Sequence, residues 1–223
     1  LDVSSFFRYP LEQIPYVLLA LSLAFAVHEF AHAYTAYRFG DPTAANQGRL
    51  TLNPLVHLDL VGTIMIFLAG FGWARPVPVN RFYFKNPRVA GPLVSVAGPV
   101  SNLMLAFIFT FFLYLLTGLG WMDTLSERIA LMINQIFLHI IHLNVVLFIF
   151  NLLPFPPLDG YRIIEDLVPN DTRAKMVQYE QYGIFLFLIL AITPLGEYVF
   201  GPIFNTAVPF ITDLMHVVLS PLL

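Results

Sequence analysis

The chain contains no cysteine, which excludes a disulfide framework, a thiolate metal site and a cysteine nucleophile. It is also poor in charge. Charged residues fill 11% of its 223 positions, where a soluble domain carries about a quarter. A hydrophobic share of 58% exceeds what a domain of this size can hide behind so few ionic side chains. With 11 Lys+Arg and a net charge of −3, it has no basic footprint for nucleic acid. The apolar content equally excludes disorder and collagen-like structure. The expectation is one integral membrane domain over residues 1–223, all-α. No basic segment followed by a short apolar core and a small-residue cleavage site opens the chain, so no signal peptide is expected.

Runs free of Asp, Glu, Lys and Arg mark the spans. One lies between Arg88 and Asp123 and another between Arg128 and Asp159, each longer than the roughly 20 residues a helix needs to cross a bilayer. An earlier stretch, Ile14 to Val27, continues through HEFAH to Phe39. Pro15 stands in its first turn and Gly40-Asp41-Pro42 stops it. Gln181–Gly196 and Tyr198–Thr212 are read as one late span each, giving five or six membrane segments. Leu60–Ala74 fits least well. It has 15 residues and carries Gly62, Gly70 and Gly72, which suits a re-entrant element better than a span.

The sharpest signal is His28-Glu29-Phe30-Ala31-His32. Residues at i and i+4 share a helix face, so both imidazoles can bind one ion. Glu29, between them, can serve a metal-bound water as general base. Zinc suits two imidazoles and a carboxylate with a fourth position for water. Ionisable groups at membrane depth are costly unless they have partners or a function. The candidate third ligand is Asp159, in NLLPFPPLDG at 151–160. Pro154, Pro156 and Pro157 cannot continue a helix. Broken backbone at that depth is tolerated where it is buried in protein or lines a wet cavity.

HEFAH on one membrane helix and NLLPFPPLDG on a later one, with AGPVSN at 97–102 between them, resemble the site-2 protease family of intramembrane zinc metalloproteases. The resemblance covers about Ala20 to Glu165 and implies a compact, core-only member without a PDZ or CBS domain. It implies His28, His32 and Asp159 as ligands of one Zn²⁺ per chain, and Glu29 as catalytic base. It suggests Asn151 as a polar group for substrate or oxyanion.

A shared zinc sets the topology. Both motif helices must end on one side of the membrane, so Leu60–Ala74 must enter and leave on that side. Arg38, Arg49, Arg75, Arg81, Lys85, Arg88, Arg162, Arg173 and Lys175 then share the active-site side, with only Arg8 and Arg128 opposite. This bias makes the active-site side cytoplasmic. A rise of 1.5 Å per residue places His28 roughly 16 Å inside the helix end at Phe39.

Other polar residues carry less. His57 and Asp59 form an HxD beside the re-entrant element and are expected at the pocket mouth, with ligation the lesser alternative. His139 and His142 share a helix face, and His139 is expected near the far surface; His216 is expected to be structural or interfacial. Asn102 can bond across helices or to substrate backbone, with the former favoured. In Trp73–Asn80, Pro76 and Pro78 alternate as in an edge strand, which could pair with an extended peptide. An interfacial loop anchored by Trp73 and Arg75 is the equal alternative.

The resulting reading is a zinc-dependent endopeptidase, a metalloprotease hydrolase of regulated intramembrane proteolysis. It acts on single-span membrane-protein substrates in or near their transmembrane segments, in the lipid bilayer of the plasma membrane. The alternatives are a non-catalytic membrane metal-binding protein, and a metal transporter or iron oxygenase using the same His/His/Asp set.

Overall fold

A computed structural model describes residues 9–69 and 72–222. Arg8 and Gly70, used above, lie outside the described residues. Among the described residues nine α-helices follow one another: α1 (Ile14–Arg38), α2 (Thr43–Asn46), α3 (Pro54–His57), α4 (Leu60–Ala69), α5 (Pro87–Gly118), α6 (Glu127–Asn151), α7 (Asp159–Leu167), α8 (Asn170–Ile192) and α9 (Leu195–Leu219). The all-α expectation holds: among the described residues there is no strand, only a lone antiparallel bridge between Leu58 and Ala74.

Among the described residues four helices are long and apolar enough to cross a membrane: α1 with the short turn before it, α5, α6 and α9. Each boundary has a local cause. Pro15 and Pro87 sit in first turns, where a missing N–H costs nothing. After α1, Gly40 turns the chain at φ +101°, and after α5 Gly120 does so at φ +69°. The prolines after Asn151 end α6.

α1, α5 and α6 pack on one another, with small residues at the seams. Ala20, Ala24, Ala33 and Ala36 of α1 and Ala90, Gly91, Gly98 and Ala106 of α5 are buried, letting the backbones approach closely. The outward faces carry exposed apolar side chains such as Leu18, Met104, Phe112 and Ile129, as lipid contact requires.

The late region departs from the two spans expected at 181–196 and 198–212. α8 stays at the end of the bundle where α6 stops. The Tyr161 hydroxyl donates to the Met176 carbonyl at 2.8 Å, and Phe187 packs against Leu153 and Leu158. A Cβ on Gly183 would lie 2.5 Å from Pro156. α9 alone runs the full depth. In its first half Phe200 meets Phe155 and Phe204 stacks on Phe150, and near its end Met215 lies against Thr110 and His216 against Tyr114. A charge-free run suggested a span, but only the second half of α8 is apolar, too short to cross.

The short element is a tight excursion. Cβ atoms on Gly62 or Gly72 would fall 2.1 Å from the Trp73 carbonyl and 1.9 Å from the Gly62 carbonyl, so only glycine permits the return past α4. The bridge from Leu58 to Ala74 brings the start and finish of this excursion side by side. The Ala74–Val79 stretch makes that one bridge rather than a strand, because its partner between α3 and α4 is only two residues long.

Candidate metal centre and its cavity

His28 and His32 lie one turn apart on the buried face of α1. Their Nε2 atoms are 3.0 Å apart. Oδ2 of Asp159, the first residue of α7, lies 3.2 Å from His28 Nε2 and 3.3 Å from His32 Nε2. These three form the metal-capable group found among the described residues. Asp159 is delivered by the proline-broken link after α6 and by Gly160. A Cβ on Gly160 would meet the Leu152 carbonyl at 2.3 Å, so glycine lets α7 begin directly against the end of α6.

The tautomers follow from the partners. His32 Nδ1 lies 2.7 Å from the Val94 carbonyl, which can only accept, so Nδ1 carries the proton. His28 Nδ1 lies 2.7 Å from Asn102 Oδ1. The Asn102 amide donates to the Ala24 carbonyl at 3.2 Å and to Asn144 Oδ1 at 2.8 Å, which turns its oxygen toward His28. In their neutral forms both imidazoles therefore direct Nε2 lone pairs at each other and at Asp159 Oδ2, a buried atom with no hydrogen-bond donor. Three electron-rich atoms so arranged repel unless a cation joins them. Zinc bonds of about 2.0 Å set at tetrahedral angles put ligand atoms about 3.3 Å apart, close to the observed separations. The donor set fits zinc. Gly98 of α5 makes room, since a Cβ there would lie 2.3 Å from His32 Nε2.

Glu29 is buried beside this group, and its Oε2 accepts the Val77 N–H at 2.8 Å. His28, Glu29, His32 and Asp159 line a cavity of about 1010 Å³, together with Trp73, Pro76, Val77, Asn151 and Phe187. Asn151 reaches this cavity while its amide donates to the Leu147 carbonyl at 2.9 Å. Asn102 does not line it. It is fully buried behind His28 with both ends of its amide engaged in bonds across helices.

His57 stands apart from the metal-capable group. Its Nε2 lies 2.7 Å from the Thr51 carbonyl, and Asp59 Oδ1 accepts the Gly62 N–H at the start of α4. His139 bonds within α6 to Gln135, and His216 meets Tyr114. At the cavity mouth, Arg81 binds Glu165 at 3.1 Å and Asp166 at 2.9 Å, tying the extended segment to α7. Arg162 and Arg173 join the same acids. Burial would raise the Glu165 carboxyl, but the Arg162 hydrogen bond and the Arg81 charge hold it below its ordinary value. Burial does raise Asp166, against the charges of Arg81 and Arg173.

Sequence reasoning did not find Gly98, the Val94 carbonyl, Asn144 or the Val77 N–H. Pro99 inside an apolar helix lacks the N–H that would pair the Ser95 carbonyl, which flags that turn of α5 but neither Gly98 nor Val94 itself.

The profile of peptidase family M50 matches residues 16–193. "Putative zinc metalloprotease YwhC" of Bacillus subtilis is 57% identical over 218 residues, covering 98% of this chain and 99% of that one. "Putative zinc metalloprotease Rip2" of Mycobacterium tuberculosis H37Rv is 32% identical over 195 residues, covering 84% of this chain and 71% of its own. "Putative zinc metalloprotease MJ0611" of Methanocaldococcus jannaschii is 28% identical over 153 residues, covering 66% and 68%. No solved structure matches the chain.

Proposed function

The chain belongs to peptidase family M50, and from that premise we propose that it cleaves single-span membrane proteins in or near their transmembrane segments. It is a zinc-dependent metallopeptidase and a multi-pass membrane protein. His28, His32 and Asp159 hold the metal in this reading. The observation that carries it is the meeting of two Nε2 lone pairs and an undonated carboxylate oxygen at 3.0–3.3 Å.

When bound, zinc polarises the scissile carbonyl and lowers the pKa of its water. Glu29 takes the water proton and passes it to the leaving amine. Asn151, which keeps a second N–H beyond the one given to Leu147, steadies the developing oxyanion or orients substrate. Asn102 and Val94 fix the imidazoles. The extended Ala74–Asn80 stretch beside Glu29 is suited to hold an unwound substrate segment.

The chain folds as one membrane-embedded domain, with the site side cytoplasmic and the plasma membrane as its location. Four crossings by α1, α5, α6 and α9 fit the helix lengths. The Leu58–Ala74 bridge supports a re-entrant α4. Both preserve a common side for HEFAH and Asp159.

The test is to incubate purified, detergent-solubilised protein with a panel of single-span peptides, with and without a chelator. Cleavage inside or beside the apolar segment, lost with chelator and restored by zinc, is expected. Zinc-loaded protein that cleaves none of the panel, or cleavage indifferent to the chelator, would overturn the reading.

A further inference from the structure

Arg49 is a buried cation without a carboxylate partner. It is 5% exposed, no acidic side chain lies within ion-pair distance of it among the described residues, and its Nε has no hydrogen-bond partner there. Removing an unpaired charge from water costs stability, so such a placement calls for a use. The backbone sends it inward deliberately. α2 ends on Gly48 at φ +67°, and the Arg49 N–H returns to the Ala44 carbonyl at 2.8 Å, a left-handed helix stop.

The guanidinium Nη2 donates to the Arg75 carbonyl at 2.6 Å. The N–H of Arg75 donates to the His57 carbonyl at 2.8 Å. One loop, from Arg49 to His57, thus grips both backbone groups of Arg75. Two residues on, the Val77 N–H reaches Glu29 Oε2 at 2.8 Å. Val77 is only two residues from Arg75, and Pro76 between them has its φ locked. Fixing Arg75 therefore fixes where the Val77 N–H points.

We propose that Arg49 is a positioning residue for Glu29: by holding the Arg75 carbonyl it aims the Val77 N–H at one carboxylate oxygen, leaving the other to handle the reacting proton. This gives the loop before the HxD pair a role in the reaction. It rests on the peptidase reading above, in which Glu29 is the base.

The experiment compares Arg49→Gln, Arg49→Lys, Val77→Pro and the Arg49→Gln/Val77→Pro double variant with wild type. Zinc content and steady-state cleavage of a single-span peptide that wild type cuts are measured for each. Val77→Pro removes the donor in a stretch already flanked by Pro76 and Pro78. Misplacing a reacting group by about 1 Å can cost about 100-fold. Arg49→Gln and Val77→Pro should each lower kcat by about 10- to 100-fold. Zinc stoichiometry should stay near wild type in both, the KM of Arg49→Gln should stay near wild type, and Arg49→Lys should recover most of the loss. Because both act through one hydrogen bond, the double variant should fall no further than the worse single one.

Losses that multiply in the double variant, an Arg49→Gln loss carried by KM, or no benefit of Lys over Gln overturns the proposal. If Arg49→Gln fails to fold, Val77→Pro still decides: unchanged kcat there overturns it. Wild type that cleaves nothing sinks the peptidase reading and this inference together. Wild-type cleavage with unaffected Val77→Pro sinks this inference alone.

Discussion

His28 on α1 and Asn102 on α5 meet through Nδ1 and Oδ1 at 2.7 Å. The contact sets the chemistry of the centre. Asn144 and the Ala24 carbonyl occupy the Asn102 amide nitrogen, so the oxygen must face the imidazole. The ring then keeps its proton on Nδ1 and offers Nε2 to a metal before any metal arrives. Partners of this kind behind ligating histidines commonly contribute 10- to 100-fold in metal affinity.

Asn102→Ala should therefore weaken zinc binding by about 10- to 100-fold, seen by competition against a chelator of known affinity. Asn102→Asp, which keeps an acceptor for His28, should lose less. Equal affinity in wild type and Asn102→Ala would remove Asn102 from the centre.

Gly98→Ala puts a methyl 2.3 Å from His32 Nε2 and 2.7 Å from His28 Cε1. Neither imidazole can yield without leaving its Nδ1 partner. The variant should purify with much less than one zinc per chain and show no cleavage. Gly201→Ala on α9, with nothing within 4 Å of its added carbon, should retain both. Full zinc content in Gly98→Ala would show that the helices separate easily at this seam.

The parts of the site carried by local geometry were legible in the sequence. His28 and His32 share a face because a helix turns every 3.6 residues. Asp159 stood out because three prolines must break the chain before it. Gly98, Asn144 and Val94 were not legible, since each matters only through a helix it meets far along the chain. α8 is not among the membrane-length apolar helices for a related reason. The run from Gln181 lacks charge, but Tyr161, Pro156 and Leu158 hold it at one end of the bundle, and composition carries no record of those contacts.

Asp159→Ala should lose zinc as well as activity, because it deletes one of three converging donor atoms. His57→Ala should keep zinc near one per chain, since its Nε2 faces the Thr51 carbonyl and not the metal-capable group. Metal analysis of the two purified variants decides. Zinc stripped from His57→Ala but retained by Asp159→Ala would reverse the assignment.

Glu29→Gln should retain zinc and lose cleavage by about 100-fold or more, the usual contribution of a positioned base. The amide still fills the space and still accepts the Val77 N–H, so geometry survives while proton transfer does not. Turnover near wild type, measured on a peptide that wild type cuts, would take the base role away from Glu29.

The membrane path is the expectation most exposed to test. If the excursion joined by the Leu58–Ala74 bridge does not cross, Asn53 and Asn80 should share one side of the membrane, and the Asn80 N–H is tied by Asp41 just past the end of α1. Asp123 lies between α5 and α6, at the opposite end. With α8 held beside α7 and α9 running down to Tyr114 and Thr110, Ser220 should share the Asp123 side. A fifth crossing by α8 would instead bring Ser220 back to the side of Asn80. The chain has no cysteine of its own, so single cysteines at these four positions can be probed with an impermeant thiol reagent. In inverted vesicles Asn53→Cys and Asn80→Cys should label, and in sealed cells Asp123→Cys and Ser220→Cys should. Ser220→Cys labelling together with Asn80→Cys would restore the fifth span. Asn53→Cys and Asn80→Cys labelling from opposite sides would make α4 a true crossing. His28 and Asp159 could then share one metal only if another helix failed to cross.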